Sequence, residues 1–325
     1  MMSGSYIKPI NVIKTGYSYY YSRITRNSII SGMPVAAGIE ISGHCNLSCP
    51  ECFYGSGLMS RKKGFMDIGL YKKIILELKP CLYNINLYFQ GEPMLHPRFF
   101  DFLDLSHGIK VTVSTNGHFL SEENAEKLAG SGLNKIIVSV DGMKSETYSL
   151  YRKGGDFEKV IDGIKNVSMA IRNRRSSLKL EIQFLVNRYN EKQIPSAVRF
   201  SKEVNAVLRL KSMQIIHNKD FDNWLPKNKN FTRYRKNNNE YTIKNALGNH
   251  CLRLWLNPVV TWDGKVVPCC FDKDAEEIMG DLNENTFRTI WNGEKYKIFR
   301  DSVLKERKSI EICRNCTSGL RGVRY

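Results

Sequence analysis

The sequence predicts an α/β chain built on a parallel sheet, barrel-like or doubly wound, followed by a small domain made of a β-hairpin and a helix. Three observations lead there. From Val35 onward, apolar strands alternate with amphipathic helices through six strand–helix units, the rhythm of a parallel sheet. The polar signatures each follow directly on an apolar strand, and functional groups in such folds gather at the strands' C-terminal ends. After Gly248 the rhythm stops, and Asp263-Gly264 between two Val-rich runs reads as a tight hairpin turn flanked by cysteines.

Taken in order, residues 1–34 form an N-terminal extension in which Tyr17, Tyr19, Tyr20 and Tyr21 with Ile24 predict a short helix packed on the body, or covering a substrate. A first strand over 35–42 puts Ala37, Ile39 and Ile41 on one face and delivers the loop 42–55. Asp67 caps a helix over 68–79 with Leu70, Ile74, Ile75 and Leu78 on one face. Strand 84–89 ends in Gln90-Gly91-Glu92-Pro93, and 97–105 is helical. Strand 109–113 ends in Ser114-Thr115-Asn116-Gly117, and Ser121 caps the next helix. Strand 135–140 ends in Ser139, Val140 and Asp141-Gly142; Phe157, Val160, Ile161, Ile164, Val167 and Ile171 then mark an amphipathic helix. Strand 178–186 runs into Asn187, and a helix with Pro195 in its first turn leads to a sixth strand over 207–216. The core is thus 35–217. Residues 218–248, polar, basic and Asn-rich, read as a linker or long loop, with folding over the sheet's functional end as the alternative. Residues 249–325 hold the hairpin, one helix bearing Phe287, Ile290, Trp291 and Phe299, and Cys313-x-x-Cys316. A domain that small is expected to need a metal staple.

Composition narrows the class. The chain has 325 residues, 42% of them hydrophobic and 25% charged, ordinary for a globular protein. No apolar run is long enough to span a bilayer and the N-terminus lacks a signal-peptide core, so a cytoplasmic protein with no membrane partner is expected. The net charge of +17 comes from dispersed Lys and Arg; a solvated basic surface accounts for it, and no aromatic-and-basic module argues for nucleic acid. Nine cysteines, an odd number in tight clusters, argue against a disulfide framework and for metal or cluster ligation.

Cys45, Cys49 and Cys52 are separated by three and two residues, close enough to converge on one centre. A cubane iron–sulfur cluster needs one ligand per iron, so three thiolates leave one iron open; a zinc knuckle is the alternative. Together with Gln90-Gly91-Glu92-Pro93 and the later strand-end motifs, this loop resembles the radical S-adenosylmethionine superfamily over residues 35–217. The C-terminal segment resembles that superfamily's SPASM domain through Cys251-x12-Gly264-x4-Cys269 and Cys313-x2-Cys316.

The resemblance implies a partial (β/α)6 TIM-like barrel followed by a single-cluster SPASM domain. Cys45, Cys49 and Cys52 would hold three irons of a 4Fe–4S cluster, with S-adenosylmethionine on the fourth. Reductive cleavage would give a 5′-deoxyadenosyl radical that abstracts hydrogen from substrate. Gly91, Glu92 and Pro93 resemble the motif for the methionine amine. Ser114, Asn116, Ser139 and Asp141 are candidates for ribose or carboxylate, Arg152 for a carboxylate, and Asn187 for adenosine; each is equally a strand-end turn or loop residue. Glu51 departs from the pattern, which often has an aromatic residue there, and Phe53 or Tyr54 could substitute. Cys251, Cys269, Cys313 and Cys316 would hold one auxiliary 4Fe–4S cluster, a four-cysteine zinc site being the alternative. Cys270 could return a hydrogen atom to a substrate radical or be structural, and Cys81 is a buried small hydrophobe. Flavodoxin or ferredoxin would supply electrons. A small polar substrate such as a sugar or cyclitol, oxidised or epimerised, is the first expectation and peptide modification the second. A non-catalytic zinc or iron–sulfur protein, or a nucleic-acid modifier, would belong to other classes.

Overall fold

The computed structural model describes residues 4–217, 220–238, 240–244, 247–316 and 323–324. In chain order the helices are α1 (Gly4–Thr25), α2 (Ile68–Leu78), α3 (Phe99–Leu105), α4 (Glu122–Gly130), α5 (Ser145–Tyr151), α6 (Phe157–Asn173), α7 (Ile194–Glu203), α8 (Phe221–Trp224), α9 (Arg253–Leu256), α10 (Phe287–Trp291), α11 (Glu294–Glu306) and α12 (Glu311–Arg314). The strands are β1 (Ala36–Ile39), β2 (Asn84–Asn86), β3 (Lys110–Thr115), β4 (Leu133–Ser139), β5 (Lys179–Val186), β6 (Val207–Ser212), β7 (Tyr234–Asn237), β8 (Glu240–Ile243), β9 (Val259–Val260), β10 (Lys265–Val267), β11 (Gly280–Asp281) and β12 (Val323–Arg324). They fall into two compact units: Met1–His44, Ser60–Val111 and Ala246–Ser318 form one, and Cys45–Met59, Thr112–Asn245 and Gly319–Tyr325 the other.

In the first unit β1 pairs in parallel with β2 and with β9, placing Gly38 opposite both Asn86 and Val259. The predicted hairpin forms with Val266 opposite Val260, and Gly264 takes the positive φ of +90° that its turn requires. The hairpin therefore extends β1's edge. Strand β1 is buried along its whole length rather than on alternate residues, as befits a parallel strand covered on both faces. Asp67 caps α2 by accepting from Gly69 N and Leu70 N at 2.8 and 3.0 Å, and Tyr71, Ile74, Ile75 and Leu78 bury its inner face. The single C-terminal helix expected from Phe287 to Phe299 is two helices, because Gly293 stands between them as the N-cap of α11. Their core holds Arg300, whose guanidinium lies 3.9 Å from the Tyr296 ring centroid and 4.3 Å from that of Trp291, a buried cation–π arrangement.

Helix α1 corrects the sequence expectation in length and in orientation. Of Tyr17, Tyr19, Tyr20 and Tyr21, only Tyr19 is buried, edge-on to Trp255 at 5.5 Å. The face turned inward carries Asn11, Thr15, Ser18 and Ser22. Asn11 donates to Met33 O at 2.8 Å and accepts from Met33 N at 2.8 Å; Ser18 and Ser22 accept from Ser31 N and Ile29 N. Short polar side chains let the returning chain hydrogen-bond along the helix, and Gly32 lies where a Cβ would meet Thr15 Oγ1 at 2.4 Å.

In the second unit β4, β5 and β6 are parallel, with Ile182 between Val138 and Leu208. Ser121 caps α4 through Asn124 N at 3.2 Å, and α6 buries the predicted Val160, Ile161, Ile164 and Val167. The stretch expected as a linker is folded where it is described. Strands β7 and β8 form an antiparallel hairpin, and Phe221 stacks on Tyr241 at 4.3 Å with the ring planes 8° apart. Its aromatic residues turn inward and its charges outward, so average polarity hid an amphipathic hairpin. Residues 317–322 and 325 of the C-terminal segment lie outside the described residues.

Candidate active site

The loop bearing the first three cysteines belongs to the second unit from Cys45 onward. It turns tightly: Cys52 N donates to Cys49 O at 3.2 Å and Ser56 N to Cys52 O at 2.8 Å. Gly55 passes so close that a Cβ would meet Cys49 N at 2.4 Å. Ser48 N donates to Lys153 O at 2.9 Å, tying the loop to the chain after α5. Cys49 is buried, and Cys45 and Cys52 are half-buried. Behind them Leu47, Cys49, Tyr151, Met213, Ile215 and Phe221 form an apolar cluster to which the folded 220–244 stretch contributes Tyr234 and Leu225.

Polar side chains from one strand end and one helix end reach two of the sulfurs. After β3, Asn116 Nδ2 donates to Asn46 Oδ1 at 2.8 Å and lies 3.9 Å from Cys45 Sγ. After α5, Arg152 Nη1 lies 3.8 Å from Cys49 Sγ while its Nε donates to Asp141 Oδ2 at 2.6 Å. Asp141 is itself fixed by Leu185 N, at 2.7 Å. Burial works against the Arg152 charge, but Asp141, together with Cys49, Tyr151 and Tyr148, outweighs it, so Arg152 is held cationic. Burial pushes the Cys49 thiol up to about 12, with the Arg152 charge opposing and the Cys52 and Cys45 thiols adding. A thiolate here needs cationic partners, which Arg152 and metal would supply.

Sequence reasoning missed His118. Its Nε2 accepts from Asp156 N at 2.8 Å, so the ring proton is on Nδ1 and is donated to Asn116 Oδ1 at 3.0 Å. That bond fixes which way the Asn116 amide faces. The signal was a histidine two residues past a strand-end Asn. Burial holds the imidazole below its ordinary pKa. A neutral His118 therefore adds stability that is complete above about pH 6.5, the unfolded value, and is lost as pH falls below it. Chemical denaturation of the wild type and His118→Asn between about pH 7.5 and pH 5 should give a difference in midpoint that shrinks toward acid. A pH-independent difference would contradict this role.

The other predicted residues are more constrained. Ser139 is buried at the end of β4 and Ser114 is half-buried within β3. Asn187 is buried, and its Oδ1 accepts from Tyr189 N and Asn190 N at 2.9 and 3.2 Å, which makes it a turn former. Glu51 is buried with Oε2 accepting from Ile216 N at 2.5 Å, while Oε1 is buried with no hydrogen-bond partner among the described residues. The carboxyl, raised by burial, pins the exit of β6. Phe53 and Tyr54 are both half-buried.

In the first unit, Gly91 has a φ of +73°, and a Cβ there would meet Ser42 O at 2.5 Å and His44 O at 2.7 Å. Only glycine fits. Glu92 N donates to His44 O at 2.6 Å, the residue that precedes Cys45 in the chain. The Glu92 side chain is buried and Oε1 accepts from Met94 N at 3.1 Å, with Pro93 opening the short turn of helix. Before this motif stands another group that sequence reasoning missed. Glu40, fully buried, pairs with Arg61 through two bonds of 2.6 and 2.5 Å and accepts from Gln90 N at 3.1 Å and Trp262 N at 3.2 Å. One carboxylate thus joins the end of β1, the chain before Gly91 and the C-terminal hairpin.

The same unit holds the second cysteine set. Cys251, Cys269, Cys313 and Cys316 are buried and Cys270 is half-buried. Arg307 Nη2 donates to Cys316 Sγ at 3.3 Å and Nη1 to His250 O at 2.8 Å, and Arg253 Nη1 donates to Cys270 Sγ at 3.1 Å. Cys81 lies apart after α2, buried. Burial raises Cys269, and Cys270, Cys251 and Cys316 add to it; these thiols are near neighbours. Among the described residues no three His, Cys, Asp or Glu side chains are placed to hold a single metal ion. An iron–sulfur cluster asks for something different: each thiolate takes its own iron, and hydrogen bonds to sulfur tune the centre. Buried cysteines with guanidinium and amide donors directed at sulfur fit that requirement.

These two cysteine sets on an α/β frame define the class. Residues 39–200 match the radical SAM superfamily and residues 251–317 match SPASM, an iron–sulfur cluster-binding domain. The chain belongs to the radical SAM superfamily and carries a C-terminal SPASM-type domain. It is similar to the probable GTP 3′,8-cyclase of Methanocaldococcus jannaschii, 32% identical over 181 residues, 53% of this chain and 56% of that protein. It is 28% identical to the mycofactocin maturase MftC of Mycobacterium ulcerans over 180 residues, 54% of this chain and 47% of that one. The chain thus spans about half the length of these curated relatives. With the S-adenosyl-L-methionine-dependent 2-deoxy-scyllo-inosamine dehydrogenase of Niallia circulans it shares 25% identity over 296 residues, 86% of this chain and 91% of that protein. In fold it is similar to Streptococcus suis SuiB bound to precursor peptide SuiA (TM-score 0.64, 16% identity, 96% of this chain and 77% of that chain). It is also similar to BtrN in complex with AdoMet and 2-DOIA (TM-score 0.56, 19% identity, 89% and 94%). The α/β class with a partial (β/α)6 barrel core, expected from the sequence, is the fold these proteins share. No described helix is long and apolar enough to cross a membrane.

Proposed function

We propose that this chain cleaves S-adenosylmethionine reductively and uses the resulting 5′-deoxyadenosyl radical to abstract hydrogen from a substrate. Cys45, Cys49 and Cys52 would hold a 4Fe–4S cluster, and Cys251, Cys269, Cys313 and Cys316 an auxiliary one. When bound, the first cluster with S-adenosylmethionine supplies the electron and the radical. The chain's own residues do the rest. The apolar wall of Leu47, Tyr151, Met213 and Phe221 shields Cys49 from water. Arg152, steadied by Asp141, places a cation by the Cys49 sulfur, and Asn116, steadied by His118, places an amide by that of Cys45. The single observation carrying the proposal is that two independent donors, Asn116 after β3 and Arg152 after α5, are aimed at two cysteines of one loop. Gly91 and Glu92 are proposed to bind the methionine amine, with Ser114, Ser139 and Asn187 as further cofactor contacts. Cys270, on Arg253, stays a candidate hydrogen donor. A flavodoxin- or ferredoxin-type protein is the proposed electron source.

For the substrate the proposal is a peptide, which reverses the order set by the sequence alone. Support comes from relatives: SuiB is described with a precursor peptide, anSMEcpe with a Cp18Cys peptide, and MftC as a maturase. A small aminocyclitol is the second reading, favoured by the match along nearly the whole 2-deoxy-scyllo-inosamine dehydrogenase. The test is turnover by reconstituted, reduced enzyme offered peptides encoded beside its gene or 2-deoxy-scyllo-inosamine. A peptide that changes mass as 5′-deoxyadenosine forms is expected. Oxidation of the aminocyclitol with every peptide inert would overturn the peptide reading.

A further inference from the structure

Helix α1 is amphipathic in the reverse of the usual sense. Its small polar residues face the protein, while Ile13, Tyr17, Tyr20 and Ile24 are 71%, 59%, 63% and 81% exposed and Val12 and Tyr21 also face out. Scattered exposed apolar residues are ordinary, but a continuous stripe of large ones on a single helix is not. Two further observations say what covers it. No Asp or Glu precedes Glu40, whereas Lys8, Lys14, Arg23 and Arg26 all fall in this stretch. At helical spacing Lys14 and Arg23, both exposed, fall on opposite borders of the stripe.

We infer that α1 docks this protein on an anionic phospholipid surface, lying in the interface with the stripe turned to the acyl chains. Tyrosine rings suit the headgroup level, and the stems of Lys14 and Arg23 let their charges reach lipid phosphates from either border. The whole-chain charge of +17 draws the molecule to the same surface. A second copy would fit less well, because two such helices face to face would bring four cations together without a carboxylate on either.

The experiment is co-sedimentation of the full-length protein with vesicles of phosphatidylcholine alone or mixed equally with phosphatidylglycerol. The wild type should pellet with the mixed vesicles and stay in solution with phosphatidylcholine. The stripe variant Tyr17→Ser/Tyr20→Ser/Ile24→Ser and the border variant Lys14→Glu/Arg23→Glu should each bind about tenfold less or weaker still. All five positions face solvent, so folding is retained and circular dichroism verifies it. Failure of the wild type to bind mixed vesicles would overturn the inference. So would equal binding by the stripe variant, which would reduce the effect to general basic adsorption. A dimer in solution that the stripe variant dissolves would assign the face to a second copy instead.

Discussion

Cys49→Ser is expected to abolish 5′-deoxyadenosine formation and to lower the iron content of the reconstituted protein from about eight to about four per chain. Cys49 is the most buried of the loop's three cysteines, backed by Leu47, Tyr151 and Met213 and faced by Arg152. Serine keeps the shape but binds iron poorly, and a centre with only two remaining thiolates would not assemble. The proposed auxiliary site would use separate cysteines, which lie in the other compact unit, so its four irons should persist. The paired variant Cys313→Ser should show the converse, losing the auxiliary irons while the first cluster remains. Loss of all iron in either variant would mean that the two cysteine sets are not independent centres.

The second large effect concerns stability. Glu40→Ala should destabilise the protein by about 3–5 kcal/mol, because it strands a buried guanidinium. Arg61 is only 12% exposed in its side chain, and the Glu40 side chain is wholly buried. The same change removes the acceptor for Gln90 N and Trp262 N, leaving the chain before Gly91 and the C-terminal hairpin without a shared anchor. Replacing both partners, Glu40→Leu with Arg61→Leu, should cost less than the single change, since no unpaired charge is left. Thermal melts of the wild type, the single variant and the double variant measure this. A single variant as stable as the wild type would show that the carboxylate joins nothing of consequence.

What the sequence made legible was whatever repeats locally. The helical spacing of Ile74, Ile75 and Leu78, the caps Asp67 and Ser121 and the Asp263-Gly264 turn are short-range patterns, and each reappears in the fold. What it hid depends on partners far away in sequence. Tyr17, Tyr20 and Ile24 look like a packing face until Ile29–Met33 is seen returning along Asn11, Thr15 and Ser18. The polar composition of 218–248 concealed Phe221, Tyr234 and Tyr241 converging on one another. Glu40 at a strand end resembles any surface carboxylate until Arg61, Gln90 and Trp262 surround it. Among the site residues, Asp141 and Asn116 were marked by their place after strands and Arg152 by resemblance, yet the aim of Asn116 and Arg152 at sulfur was not readable. His118 was passed over because its partner, Asp156 N, is a backbone group that no side-chain pattern announces.

The central claim is that the cysteine loop makes a redox centre that cleaves S-adenosylmethionine. Anaerobic reconstitution followed by reduction in the presence of S-adenosylmethionine tests it most directly, with metal content and 5′-deoxyadenosine measured on the same sample. About eight irons and sulfides per chain and 5′-deoxyadenosine formed only after reduction are the predicted result. Zinc filling both cysteine sets, with S-adenosylmethionine left intact by the reduced protein, would contradict it.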